Sequence, residues 1–106
     1  MLVDFSVKNY LSFKETTTFS MIASSDKTLW DTNVIENAQD TGINLIKTAI
    51  IYGHNASGKS NLIKAMNFMA DFVQNSTIIN TDSAIKVNPF KIDPDCLNKP
   101  SEFDIR

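Results

Sequence analysis

A glycine-rich stretch in the middle of the chain constrains the fold more than any other feature. It follows the pattern G-x-x-x-x-G-K-[ST], whose four fixed positions are Gly53, Gly58, Lys59 and Ser60. Glycines let such a loop curl closely, so that its backbone N–H groups surround a phosphate. The following helix adds its N-terminal donors, the lysine reaches the β- and γ-phosphates, and the hydroxyl ligates Mg²⁺. The stretch therefore predicts a phosphate-binding loop.

The residues on either side distinguish this loop from a glycine-rich turn that merely precedes a core helix. Residues 45–52 are mostly apolar and β-branched, which predicts a strand covered on both faces. From Ser60 to about Gln74 the pattern predicts a helix, with apolar and polar residues on opposite faces. The apolar face would hold Leu62, Ala65, Met66, Met69 and Val73, and the polar face Lys64, Asn67, Asp71 and Gln74. A strand, loop and helix in this order is the context that the motif requires, so a nucleotide site is favoured.

The composition of the chain argues against several classes of protein and of binding site. The 106 residues suffice for one small domain, and a formal net charge of -2 gives no basic field that would steer nucleic acid to this chain. A single cysteine, Cys96, excludes an internal disulfide and fits a reduced cytoplasmic setting, where we expect an inert thiol. One histidine, His54, argues against a structural zinc site. No apolar run has transmembrane length, so no membrane partner is expected.

The remaining segments divide the chain further. Residues 1–22 alternate polar and apolar side chains in two runs, which predicts a β-hairpin. Residues 23–42 form a long polar loop, in which Trp30 either stacks on an adenine or, as we prefer, packs the loop onto the sheet. Residues 43–75 hold the strand, loop and helix, and residues 76–106 begin a β-subdomain. Because the last residues alternate like a strand with no partner, we expect the chain to be an N-terminal fragment of a longer protein.

Three pieces of the sequence together resemble a known family: residues 5–14 (FSVKNYLSFK), 51–62 (IYGHNASGKSNL) and 88–92 (NPFKI). They resemble the N-terminal lobe of ABC-type ATPase heads of the RecF/SMC kind. More narrowly, they resemble prokaryotic AAA-family ATP-binding proteins related to the overcoming-lysogenisation-defect and abortive-infection ATPases. The resemblance implies an α/β P-loop NTPase fold, an ABC-ATPase-like N-terminal lobe with a truncated antiparallel β-subdomain.

The same resemblance implies a set of ligands and partners. These are ATP with Mg²⁺, a homodimer of heads that traps the nucleotide, and a DNA or nuclease effector partner in DNA repair or phage defence. In the family the acidic catalytic motifs come from the C-terminal half, which residues 1–106 do not contain. We therefore expect an ATPase in the intact protein, whereas residues 1–106 alone bind ATP without appreciable turnover.

The resemblance also assigns roles to single residues. Backbone N–H groups from Asn55 to Ser60 would hold the β-phosphate, Lys59 would be the catalytic residue at the β/γ oxygens, and Ser60 would ligate the metal. Asn55 either shapes the loop or approaches the γ-phosphate, and Lys14 either reaches the nucleotide or is a solvated turn lysine. His54 occupies a variable position and is expected to be exposed. The predicted cofactor-binding set is Gly53, His54, Asn55, Ala56, Ser57, Gly58, Lys59, Ser60, Asn61 and Lys14.

Three other functions stay open at this stage. The chain could be a non-catalytic lobe for dimerisation or for holding a partner effector. A P-loop small-molecule kinase is disfavoured, because a hairpin precedes the motif strand and because acceptor and lid segments are missing. A GTPase is the remaining alternative, and no guanine-reading motif is visible in these residues.

Overall fold

The computed structural model describes residues 1–54, 57–78 and 84–106 of the chain. The helices and strands, in chain order, are β1 (Asp4–Lys8), β2 (Thr17–Ser20), α1 (Trp30–Asn33), β3 (Val34–Ile35), β4 (Leu45–Ile46), α2 (Lys59–Asn75) and β5 (Glu102–Ile105). Two short 3₁₀ turns, Ala38–Asp40 and Pro94–Asn98, complete the list. The described residues thus form a small mixed α/β fold whose sheets are antiparallel.

A three-stranded antiparallel sheet, in the order β2-β1-β5, is built around the first strand. Phe5 lies opposite Phe19 of β2 on one side and Ile105 of β5 on the other. Phe5 and Val7 are almost fully buried, as the alternating pattern of β1 predicts, because successive side chains of a strand point to opposite faces. The expectation that the last strand has no partner is wrong, since β5 pairs with β1 along its length.

Helix α2 packs onto the buried face of this sheet. Its Leu62 and Ala65 join Phe5, Val7 and Tyr10 in the core, as the helical spacing predicts. The apolar stripe nevertheless ends earlier than predicted, because Val73 is 59% exposed. The stripe is widened instead by Phe68 and Phe72, whose sequence positions suggested no such role; both are half-buried.

An aromatic cluster joins the helix to the sheet. The ring of Phe68 lies 5.1 Å from that of Phe103 in β5 and 5.6 Å from that of Tyr10, measured between centroids. The rings of Tyr10 and Phe103 meet edge to face at 5.2 Å. Such pairs add roughly 0.5–1.5 kcal/mol each beyond the burial of their area. The cluster therefore fixes where α2, and with it the loop at its start, sits over the sheet.

The strand predicted over residues 45–52 is wrong beyond its first two residues. Leu45 and Ile46 form β4, which pairs with β3 in a two-stranded antiparallel sheet. Residues 47–54 have no regular structure, and Ile50 and Tyr52 are 83% and 89% exposed. A strand covered on both faces needs neighbouring strands and covering layers. In the described parts of the chain no strand pairs with residues 47–52, which agrees with the exposure of Ile50 and Tyr52.

The segment predicted as a polar loop, residues 23–42, contains secondary structure of its own. It holds α1, β3 and the first 3₁₀ turn, and the Ala23 N–H donates to the carbonyl of Asn44 at 2.8 Å. Trp30 does not belong to the main core cluster. Its indole N–H donates to the Glu36 carboxylate, and the ammonium of Lys27 lies 3.1 Å from its ring centroid. Trp30 therefore organises its own segment, and the predicted packing of this side chain onto the main sheet is not seen.

The cysteine and the helix lengths bear on two further predictions. Cys96 is a free thiol buried in the second 3₁₀ turn, whose burial agrees with an inert role. Among the described helices, none combines the length and apolar composition needed to cross a bilayer.

Candidate functional site

The glycine-rich loop leads directly into α2, as the motif requires. Gly58 is the N-cap residue, and the Leu62 N–H donates to its carbonyl at 3.0 Å to close the first turn. In the described residues no side chain caps this end, and the first turn carries no acidic residue. The first N–H groups of a helix have no partner within the helix, and its dipole places partial positive charge there. This end of α2 is therefore suited to an anion.

Lys59 is folded back onto the loop. Its ammonium donates to the carbonyl of His54 at 2.8 Å and to the carbonyl of Gly53. The Ser57 N–H also donates to the His54 carbonyl, at 3.2 Å, so the loop closes around this point. The cation is held by neutral carbonyl dipoles in these two bonds. A bond to an ionised oxygen is roughly twice as strong as a neutral one, so phosphate oxygens can compete for this ammonium.

The two fixed glycines of the loop differ in how strongly the structure requires them. A Cβ at Gly53 would lie 2.9 Å from the hydroxyl oxygen of Ser57, so the exposed Ser57 side chain would have to shift. Gly58 has a φ of +99°, which L side chains rarely adopt, and a Cβ there would lie 3.1 Å from the Ser12 hydroxyl oxygen. The backbone geometry thus explains the glycine at position 58, whereas at position 53 the structure shows only a close contact with one side chain.

The other predicted loop residues are only partly described. Asn55 and Ala56 lie outside the described residues, and so do the contacts predicted for them. His54, Ser57 and Ser60 are exposed. Ser60 is the second residue of α2, and its hydroxyl is predicted to ligate Mg²⁺. Within the described ranges no cluster of three or more acidic, histidine or cysteine side chains could hold a metal. A serine hydroxyl fits Mg²⁺, which uses few protein ligands and completes its shell with water and phosphate oxygens.

Lys14 lies in the turn between β1 and β2, but its ammonium is engaged elsewhere. It forms an ion pair with the Asp93 carboxylate at 2.8 Å. This hydrogen bond raises the pKa of Lys14, and the same bond, with one from the Asp95 N–H, lowers the pKa of Asp93. The contact between Lys14 and a nucleotide stays a prediction, and the pair with Asp93 would have to open for it.

A residue that the sequence reasoning missed, Ser12, lies against the end of the loop. The Asn61 side-chain N–H donates to the Ser12 hydroxyl oxygen at 2.9 Å. The ring of Phe13 lies 3.9 Å from the position of a Cβ on Gly58. The turn between β1 and β2 therefore supports the point where the loop becomes α2. The one sequence signal that relates the two sides of this contact is that residues 5–14 and residues 51–62 both carry the resemblance to the same family.

Asn9 anchors that turn from the other side. It is 2% exposed and has a φ of +50°. Its side-chain N–H groups donate to the carbonyls of Cys96 at 2.8 Å and Lys99 at 2.9 Å, and its side-chain oxygen accepts from the Phe90 N–H at 3.1 Å. Residues 5–14 and 88–92, two of the three pieces that carried the resemblance, are thus bonded to each other.

Comparison with protein families decides what this loop and helix belong to. Residues 49–106, more than half of the chain, match the family described as “AAA domain, putative AbiEii toxin, Type IV TA system”. The chain belongs to this AAA domain family. Membership supports a nucleotide-binding P-loop ATPase in general terms, and the matched range contains the loop, α2 and β5 of this AAA domain. No curated protein and no solved structure matches the chain.

Proposed function

We propose that this AAA domain binds ATP with Mg²⁺ at residues 53–60. We further propose that it is the N-terminal lobe of an ABC-type head of the RecF/SMC kind, in which ATP binding closes a dimer of heads. The observation that carries the proposal is the ammonium of Lys59, which the loop carbonyls hold at the start of an uncapped helix. The family match over the same residues supports it.

On binding, the Lys59 ammonium would exchange one set of hydrogen-bond acceptors for another. Phosphate oxygens would take the Lys59 ammonium from the carbonyls of Gly53 and His54, because a charge-assisted bond is the stronger one. The N–H groups at the start of α2 would face the same phosphate. Mg²⁺ would neutralise charge on the β- and γ-phosphates, and the Ser60 hydroxyl would orient it.

Hydrolysis of ATP needs more groups than the phosphate-binding loop and Lys59. Phosphoryl transfer requires a water held in line with the γ-phosphate and an acidic group beside the metal. Of the acidic residues described after the loop, Asp71 is exposed on α2 and Asp93 is paired with Lys14. We therefore propose that residues 1–106 bind ATP without appreciable turnover.

The proposed location and biological process rest on the resemblance to ATPases of the RecF/SMC kind. It places the protein in the cytoplasm and assigns it to DNA repair or phage defence, with DNA or a nuclease effector as partner. A non-catalytic interaction lobe is the second candidate. The exposed apolar side chains of Ile50 and Tyr52, next to the loop, favour it.

Calorimetric titration with Mg²⁺–ATP tests the proposal. Lys59→Ala should weaken binding roughly ten- to hundredfold, because a hydrogen bond to a charged group is worth about 1.5–3 kcal/mol. Lys64→Ala is the matched control, since it removes the same charge from an exposed position of the same helix. Equal affinity for the wild type and Lys59→Ala would refute the proposed site. Absence of binding by the wild type would favour the interaction lobe.

A further inference from the structure

The contact between Ser12 and Asn61 joins two parts of the chain that lie far apart in sequence. Ser12 belongs to the turn between β1 and β2, and Asn61 to the first turn of α2. The Ser12 hydroxyl oxygen also lies 3.1 Å from the position that a Cβ would occupy on Gly58. One hydroxyl therefore bonds to the first turn of the helix that would receive the phosphate and faces the side of Gly58 that lacks a side chain.

We infer that Ser12 is a positioning residue for the nucleotide. Its hydroxyl holds the first turn of α2 in place through the hydrogen bond from Asn61, and so aims the N–H groups of that turn. This inference rests on the proposed function, because the aimed groups are those that would face the phosphate. It differs from the predicted role of Lys14, which would touch the nucleotide itself.

The turn that carries Ser12 is well anchored, which a positioning role requires. Tyr10 and Phe13 exchange backbone hydrogen bonds of 3.0 and 2.9 Å on either side of Leu11 and Ser12. The Leu11 N–H donates to the carbonyl of Asn88 at 2.8 Å. Asn9, at the start of the turn, is buried and bonded to residues 90–100. The hydroxyl is thus presented from a fixed backbone.

A second serine in the same hairpin provides a matched control. The Ser6 hydroxyl shares a hydrogen bond of 2.8 Å with the Thr18 hydroxyl, across β1 and β2. Like the Ser12 bond, it is an exposed bond between side chains. It joins two strands of the hairpin to each other and does not involve α2. Ser6→Ala and Ser12→Ala therefore each remove one hydroxyl from an exposed side-chain hydrogen bond, and only the Ser12 bond reaches the helix.

The first measurement is Mg²⁺–ATP affinity by calorimetry. Ser12→Ala should weaken binding roughly two- to tenfold, the range expected for one net hydrogen bond. Ser6→Ala should bind like the wild type. The double variant Ser12→Ala/Asn61→Ala should bind no more weakly than the weaker of the two single variants, because both remove the same contact. Additive losses would show that Ser12 and Asn61 act separately and would overturn the inference.

The second measurement needs no nucleotide. The Leu62 amide, bonded to the Gly58 carbonyl, reports on the first turn of α2, and its hydrogen exchange can be followed by NMR. Ser12→Ala should speed its exchange roughly two- to tenfold, and Ser6→Ala should not. Equal exchange in the two variants would overturn the inference even if ATP binds. If the wild type binds no ATP, the proposed function fails, and a faster exchange in Ser12→Ala alone would still show that Ser12 fixes the helix start.

Discussion

Replacing Gly58 with alanine tests the geometry at the start of α2 most directly. Two consequences of the added methyl group can be separated. The backbone must keep a φ of +99°, which is unfavourable for any residue with a Cβ. The methyl must also lie 3.1 Å from the Ser12 hydroxyl oxygen, so that Ser12 has to move. The second consequence would weaken the bond between Ser12 and Asn61.

Gly42 allows the two contributions to be measured apart. It has a φ of +77°, and a Cβ there would meet nothing within 4 Å. The left-handed backbone costs an L residue about 1–2 kcal/mol, and the lower entropy of the unfolded alanine chain returns about 0.4–1 kcal/mol. Gly42→Ala should therefore lower the free energy of unfolding by roughly 0–1.6 kcal/mol. Gly58→Ala should lose about 1 kcal/mol more, the value of the weakened hydrogen bond.

Thermal unfolding followed by circular dichroism gives the comparison. A difference of 1 kcal/mol corresponds to about 4–8 °C in Tm for a domain of this size. Gly58→Ala should melt lower than Gly42→Ala by about that amount. Adding Ser12→Gly to Gly58→Ala should cost less stability than adding it to the wild type, since it also removes the crowding oxygen. Equal Tm values for the two alanine variants would refute the claim that Ser12 crowds the loop.

Three other outcomes are expected. Asn9→Ala should lower the free energy of unfolding by about 2–4 kcal/mol in urea titrations, because it removes a buried side chain that bonds the carbonyls of Cys96 and Lys99 and the Phe90 N–H. Asn75→Ala, which removes one exposed bond, should change it by less than about 0.5 kcal/mol, and similar losses would contradict this reasoning. The bond from Lys14 lowers the folded pKa of Asp93 from 3.8, so the pair stabilises the fold above pH 3.8 and stops doing so as the pH falls through the folded pKa. The Tm advantage over Asp93→Asn should shrink as the pH is lowered through 3.8 and below, and a constant difference would exclude the pair. Ser60→Ala should weaken ATP binding in Mg²⁺ but hardly in EDTA, whereas equal losses in both would make Ser60 a support for the loop.

The elements with a strict local period could be predicted from the sequence. The alternation around Phe5 and Val7 located β1, and the spacing of Leu62 and Ala65 located the buried face of α2. Both patterns arise because one face of a single element is buried. The glycine at position 58 could be predicted from the motif as well, and the structure explains it by a left-handed backbone.

Features that depend on a partner far away in sequence could not be predicted in this way. The apolar run at residues 47–52 has the composition of a buried strand, but composition does not show whether neighbouring strands are present. Phe68 lies outside the predicted stripe because its partners, Tyr10 and Phe103, come from distant segments. Ser12 and Asn9 have polar side chains whose partners lie about fifty or more positions away, so no local pattern marks them.

The isolation of Trp30 from the main core has a consequence for spectroscopy. Trp30 is the only tryptophan of the chain, and its ring contacts Lys27 and Glu36 of its own segment. Its emission therefore reports on residues 27–36, whereas far-ultraviolet circular dichroism is dominated by the helix α2. Denaturation curves from the two signals coincide only where that segment and the core unfold together. The fluorescence of this one residue thus measures how strongly the unfolding of residues 27–36 is coupled to the unfolding of the core.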